Sequence, residues 1–116
     1  MLPELSSLPS LTPPFDLLDL RPGDSQALDL VRGQLGKSVI NPRDGRPRKE
    51  VYTFRVWVTP GTKPTVPDFW DITATTVIAA LWAYMEAGDF PKATYRLMKV
   101  GQGAQARFSL DRLPRA

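Results

Sequence analysis

Five prolines fall within the first 22 residues of the chain, at positions 3, 9, 13, 14 and 22. Proline fixes φ and lacks a backbone N–H, so this spacing prevents a regular helix and favours an extended backbone. Within the same segment, Phe15 to Leu20 alternates apolar and acidic residues. We therefore predict an extended arm, residues 1–24, that docks on its own domain, on a second copy or on another protein.

The segment from Gln26 to Leu35 permits two interpretations. A helix would begin at a cap formed by Asp24 or Ser25 and would end at Gly36. A strand fits the alternating residues equally well, and Gly33 weakens the case for a helix. The pattern leaves the choice between helix and strand open.

Alternation with a period of two predicts strands at residues 37–40, 51–59, 93–100 and 104–113, with a tight connection between the last two. The strand at 51–59 has two distinct faces. Its core face holds Tyr52, Phe54, Val56 and Val58. Its other face, which we expect to be half exposed, holds Val51, Thr53, Arg55, Trp57 and Thr59.

A single helix is predicted from Ile72 to Ala87, capped by Asp68 or Asp71 and ended by Gly88. It is apolar nearly all round, so we expect it to be covered on two sides or to form an oligomer contact. The uncharged stretch before Glu86 is about 14 residues, whereas a membrane span needs roughly 20. We therefore expect no membrane association.

The chain contains no cysteine and no histidine. Their absence excludes disulfides, thiol nucleophiles, serine–histidine triads and zinc sites built from thiolate or imidazole ligands. The carboxylates of Asp68 and Asp71 have helix capping as their ordinary role. We expect a binding protein rather than an enzyme, with no cofactor or metal, and, without a signal-peptide pattern, a cytoplasmic location.

Charge is divided unevenly along the chain. Residues 1–31 hold five acids and one arginine, a net charge of −4, whereas the remainder holds fourteen cations and seven acids, a net charge of +7. Such a basic domain suits a polyanionic partner. Five of its cations surround the turn signal Asp44-Gly45, which predicts a basic hairpin. They are Lys37, Arg43, Arg46, Arg48 and Lys49.

Strands, a helix and two further strands, with a basic hairpin, form the layout expected of a small barrel that binds a nucleic-acid strand. Cations bind phosphates and aromatic rings stack on bases. Alternation favours the core for Tyr52, and Trp57 equally suits an oligomer contact. The candidate binding residues are Lys37, Arg43, Arg46, Arg48, Lys49, Tyr52, Arg55, Trp57, Tyr95, Lys99, Arg107 and Arg112.

Two parts of the chain resemble the gene V protein family, the single-stranded-DNA-binding proteins of filamentous phages, which are β-barrels related to the OB-fold. The hairpin Pro42-Arg-Asp-Gly-Arg-Pro47 is similar to that family's wing, and the segments 91–95, 99–102 and 111–113 are similar to its last two strands. The resemblance implies wing cations at Arg43 and Arg46, a cation beside the last turn at Lys99 and a phosphate contact at Arg112.

The fold expected on these grounds is mainly β with one helix: an OB-like, five-stranded antiparallel barrel at residues 25–116, with the helix before the last two strands. The expected function is sequence-independent binding of single-stranded DNA, or of RNA, by a dimer or higher oligomer on phage or plasmid replication intermediates. For a phage-encoded protein the location would be the host cytoplasm. The alternative is a virion or assembly protein that oligomerises through its arm and apolar helix.

Overall fold

A computed structural model describes residues 2–40, Gly45 and residues 47–115. Within these ranges the chain forms six strands and one α-helix, which confirms a mainly β fold with a single helix. The elements are β1 (Ser25–Leu28), β2 (Leu30–Ile40), β3 (Lys49–Val58), β4 (Phe69–Ile72), α1 (Thr75–Glu86), β5 (Ala93–Val100) and β6 (Arg107–Pro114). Short 3-10 turns lie at Leu5–Ser7, Phe90–Lys92 and Gly103–Gln105.

The strands form two antiparallel sheets. Sheet A has the order β2-β3-β4, and sheet B has the order β1-β5-β6. A closed barrel needs a continuous hydrogen-bonded ladder. Across the described ranges no strand of one sheet pairs with a strand of the other, so the expected five-stranded closed barrel is replaced by two open sheets.

The segment 26–35 is extended, so the strand interpretation is the one that the structure adopts. The chain leaves sheet B at Leu28 and enters sheet A at Leu30, with Asp29 between the two strands. Gly33 lies opposite Val56, and a Cβ atom at Gly33 would come within 2.5 Å of the Phe54 ring. The glycine therefore lets the aromatic ring pack closely on β2.

The predicted start of the helix is wrong. Phe69–Ile72 forms the short strand β4, which pairs with β3 and is buried along its whole length. Asp71 lies inside this strand, so its carboxylate caps no helix, and the helix begins only at Thr75 after Ala74. Burial and pairing with β3 override a local pattern that also suited a helix.

The core lies between the two sheets and α1. Val77, Ile78 and Leu81 bury one face of the helix. Trp82 meets the Phe54 ring of sheet A edge-on at 6.1 Å between centroids. The exposed residues of α1 are threonine, alanine and glutamate at positions 75, 76, 79, 83 and 86. None of the helices in the described part is long and apolar enough to cross a membrane.

The arm crosses sheet A from one edge to the other. At the edge formed by β2, the Lys37 N–H donates to the Pro9 carbonyl and the Leu11 N–H donates to the Lys37 carbonyl, both at 2.9 Å. At the edge formed by β4, the Asp71 N–H donates to the Asp16 carbonyl at 2.8 Å. Of the three possibilities for the arm, the structure shows docking on its own domain.

The arm buries the face of β3 that was expected to be half exposed. Thr53 and Arg55 are 0% and 6% exposed. Gly36, opposite Thr53 on β2, permits this close approach, because a Cβ atom there would lie 2.7 Å from the Leu11 side chain. The expectation of a half-exposed working face is therefore wrong for the middle of β3, although Val51 and Trp57 at its ends are partly exposed.

Candidate nucleic-acid interface

The basic hairpin is described in part. Arg43 and Arg46 lie outside the described residues, whereas Arg48 and Lys49 are exposed at the start of β3. Lys37 is less available because its side chain is 17% exposed and its Nζ atom lies 3.1 Å from a carboxylate oxygen of Glu50. Of the described hairpin cations, Arg48 and Lys49 therefore present the most accessible charge to a ligand.

Arg55 holds the arm in place. Its Nε atom donates to an Asp71 carboxylate oxygen at 2.8 Å, and its two terminal nitrogens each donate at 3.0 Å to arm carbonyls, those of Thr12 and Pro14. The ion pair is buried on both sides, with side-chain exposures of 8% and 0%. A guanidinium whose donors meet a carboxylate and two carbonyls offers little to a phosphate, so we remove Arg55 from the candidate interface.

A second buried cation completes this contact. The ammonium of Lys63 donates to the Asp16 carboxylate and to the carbonyls of Pro67 and Phe69. The Asp71 carboxylate in turn accepts the Asp16 N–H at 3.0 Å. The two cations and two carboxylates balance in charge, and together they fix the arm on sheet A.

Tyr95 lies in the core rather than on a binding surface. It is 0% exposed and packs between the rings of Tyr84 and Phe90, at centroid distances of 5.1 and 5.9 Å. Its hydroxyl donates to the Asp89 carboxylate. The pKa of Tyr95 is raised, with burial as the larger cause and this hydrogen bond as the second. A base has no access to this ring, so the proposed stacking role of Tyr95 is withdrawn.

Arg112 also has a partner within the chain. Its Nε and Nη2 atoms donate to the two Asp89 oxygens at 2.7 and 2.6 Å. The pKa of Asp89 is lowered to about 2, mainly by the hydrogen bonds from Arg112 and to a smaller extent by the one from Tyr95. Because this bidentate pair occupies the guanidinium, the structure gives no support to a phosphate contact at Arg112.

Tyr52 and Trp57 have different surroundings. Tyr52 is half-buried against the core, and its hydroxyl donates to the arm carbonyl of Pro3 at 2.8 Å. Trp57 is half-buried at the far end of β3, where the Arg32 guanidinium lies 3.6 Å above the ring centroid. Sequence reasoning missed Arg32 because the residue opposite Trp57 depends on the register between β2 and β3.

Lys99 and Phe108 face each other at the end of sheet B. They are register partners, and the Lys99 Nζ atom lies 5.7 Å from the ring centroid. Phe108 is only partly buried, because it stands at the start of β6 where the core ends. Alternation places the Cβ atom of Arg107 on the opposite face of the sheet. Arg107 is exposed at the first position of β6 and also contributes to the wall of a depression with Thr76 and Phe108.

A groove joins the hairpin to this end of sheet B. It consists of three adjoining depressions that share residues on their walls: Leu17 and Thr73 are common to the first two, and Phe108 is common to the last two. The central depression has a volume of about 440 Å³. The first is lined by Phe15, Leu17, Ser38, Val39, Val51 and Thr73, and the last by Thr76, Ala106, Arg107 and Phe108. We call this combined depression the groove.

Charge and aromatic rings are arranged along the groove. Lys49 lies on the same face of β3 as Val51, at the first end, and Lys99 lies beside Phe108 toward the other end. Phe15, which is 43% exposed, and Phe108 contribute aromatic rings to the walls. Asp19 lines the central depression and places a negative charge there.

The groove brings together only part of the predicted site. Of the predicted residues, Arg107 lines the groove, and the strand positions of Lys49 and Lys99 place them toward its two ends. The groove adds two residues that were not predicted, Phe15 from the arm and Phe108 from β6. No local signal would have joined these rings, because Phe15 approaches the sheets only when the arm crosses sheet A. Comparison with family models, curated proteins and solved structures finds no significant match for this chain.

Proposed function

We propose that this protein binds single-stranded DNA, with little sequence preference, along the groove. The observation that carries the proposal is a row of three adjoining depressions with shared walls, with a lysine toward each end and two partly exposed phenylalanine rings. Cations that follow the backbone, with aromatic rings that stack on bases of any identity, are the general solution for such binding. Stacking and phosphate contacts of this kind do not depend on base identity.

The chemistry of the groove supports binding rather than catalysis. Its polar lining residues are the hydroxyl-bearing Ser38, Thr73 and Thr76, the single cation Arg107 and the single carboxylate of Asp19, and the chain has no histidine or cysteine. A lone carboxylate without a positioned partner is a poor basis for acid–base catalysis. Each stacked base contributes about 1–3 kcal/mol by alanine substitution, so two rings and two cations suffice for a useful affinity.

The biological role that we propose rests on the resemblance in the hairpin and the last two strands. We propose that the protein coats phage or plasmid replication intermediates as a dimer or higher oligomer, on a fold that is an open relative of the OB-like barrel. The assembly-protein alternative has less support, because the arm lies on its own domain and the exposed residues of α1 are small or polar.

Titration of fluorescent oligothymidine at several salt concentrations tests the proposal. The logarithm of the binding constant should fall linearly with the logarithm of salt concentration, by about 0.7 for each phosphate contacted on a single strand. The double variant Lys49→Ala with Lys99→Ala should therefore reduce the slope by roughly 1.4. Absence of binding at low salt, or binding that ignores salt, would reject the proposal.

Lys92 provides a matched control. It is exposed in the turn before β5, at the opposite end of that strand from Lys99. Lys92→Ala removes the same charge without touching the groove, so its salt slope should equal that of the parent. An equal loss of slope in the Lys92 and Lys99 single variants would show that net charge, rather than the groove, determines binding. Oligouridine in place of oligothymidine then measures the preference for DNA over RNA.

A further inference from the structure

We propose that the outer edge of β6 pairs with the same edge of a second copy, which joins two B sheets into one antiparallel sheet of six strands. The pairing involves protein alone and does not depend on the DNA proposal. It gives the expected dimer a defined surface, symmetry and register.

The outer edge of β6 is open. β6 is the last strand in the order β1-β5-β6, and it pairs with β5 over its full length. Its residues 107–114 make no other backbone hydrogen bond within the described structure. In sheet A, by contrast, the arm pairs with β2 at Lys37 and with β4 at Asp71. An eight-residue strand with unpaired N–H and C=O groups is a template for another strand.

Alternation restricts the possible registers. Arg107, Ser109 and Asp111 lie on the outer face of sheet B, whereas Phe108 and Leu110 lie toward the core and are partly buried. When two copies of β6 pair about a two-fold axis, opposed residues must lie on the same face of the sheet. The axis is therefore level with one residue of β6 and does not fall midway between two successive residues. The candidate centres are therefore single positions near the middle of β6.

Charge selects one of these centres. An axis at Ser109 opposes Arg107 to Asp111 of the second copy, and the symmetry repeats this pair. An axis at Asp111 would instead oppose two carboxylates, and an axis at Leu110 would oppose Asp111 to Ser109. Only the Ser109 register among these forms two ion pairs of opposite charge. The same register opposes Phe108 to Leu110 of the second copy on the inner face.

The residues concerned are accessible. The Asp111 side chain is 56% exposed. Its partner within the chain is Arg96 on β5, whose side chain is 47% exposed and whose Nη2 atom lies 3.9 Å from a carboxylate oxygen of Asp111. A pair this long and exposed leaves carboxylate oxygens free to accept from a second guanidinium. Charged residues on an edge strand normally oppose pairing, but here they are complementary in the Ser109 register.

Sedimentation of four samples without nucleic acid tests the inference. The parent should dimerise. Arg107→Asp and Asp111→Arg should each weaken self-association at least tenfold, because each places like charges at both symmetry-related pairs of positions 107 and 111. An equimolar mixture of the two variants should recover dimerisation, since the heterodimer places unlike charges at both pairs. Far-UV circular dichroism checks that each variant is folded.

Three outcomes would overturn the inference: a monomeric parent, single variants that associate like the parent, or a mixture of folded variants that associates no more tightly than either alone. All three are read without DNA. Failure here therefore leaves the proposal for the groove standing, and failure of the oligothymidine titration leaves the pairing of β6 standing.

Discussion

The face of sheet A beneath the arm and the end of sheet B both contain cations, but the cations have different partners. Beneath the arm, Arg55 and Lys63 are buried among carboxylates and backbone carbonyls. At the end of sheet B, Arg107 is exposed and Lys99 lies over a partly exposed ring. Both regions contribute to the same net charge, yet only the second can offer it to a polyanion. The role of a cation depends on whether neighbouring acceptors already satisfy its donors.

Removal of Arg55 should have the largest effect. Arg55→Ala leaves the Asp71 carboxylate, which is 0% exposed, without its ion pair and frees the two arm carbonyls. Loss of one partner from a buried pair typically costs about 3–5 kcal/mol. Urea unfolding should show a loss of this size. Arg96→Ala is the matched control on sheet B and should change stability by less than about 0.5 kcal/mol, because its pair is exposed. Equal losses would remove the distinction between the two regions.

Two glycines of β2 make close contacts, Gly33 with the core and Gly36 with the arm. Gly33→Ala would press on the Phe54 ring and should cost about 1–3 kcal/mol of global stability by overpacking. Gly36→Ala would instead press on Leu11 and on the Pro9 carbonyl at 2.8 Å. Hydrogen exchange should then accelerate at the Leu11 and Lys37 amides, with a smaller loss of global stability. If Gly36→Ala left these amides as protected as in the parent, the arm would not depend on this contact.

Removal of the one acidic residue in the groove should strengthen DNA binding. Asp19 lines the central depression, where its charge would repel phosphates. Asp19→Asn should strengthen oligothymidine binding several-fold at low salt, with the gain decreasing as salt rises. Glu86→Gln at the exposed end of α1 lies outside the groove and the edge of β6, and it is the control for a change of one charge. A gain of the same size in both variants would argue against the groove as the binding path.

The smallest expected effect concerns Asp89, the carboxylate that pairs with Arg112 of β6. Because Arg112 and Tyr95 lower the pKa of Asp89 from 3.8 to about 2, the ionised carboxylate stabilises the fold above pH 4 and loses this contribution as the pH falls to 2. The difference in unfolding free energy between the parent and Asp89→Asn should therefore shrink between pH 4 and pH 2. A constant difference across this range would mean that Asp89 titrates normally in the folded protein.

Much of sheet B was predictable because its signals are local. The prediction of β5 at residues 93–100 is confirmed, and the strand predicted at residues 104–113 overlaps β6 over most of its length. These strands follow one another through a short connection. Their pattern therefore contains most of the information that determines their pairing.

Sheet A was less predictable because its partners are distant in sequence. The carbonyls that bind Arg55 belong to Thr12 and Pro14, more than forty positions earlier, and alternation alone cannot show that an arm covers a strand. β4 is four residues long, too short for a period to separate it from a helix start. The groove combines both difficulties, since Phe15 and Phe108 come from the arm and from the last strand.

Amide chemical-shift mapping during addition of oligothymidine tests the central claim most directly, because it reports each region of the molecule separately. We expect the largest changes along the groove, at Leu17, Thr73, Lys99 and Phe108, with small changes at Thr53 and Arg55 beneath the arm. Changes concentrated at Arg32 and Trp57 or beneath the arm, or no changes at low salt, would contradict the assignment of single-stranded DNA to the groove.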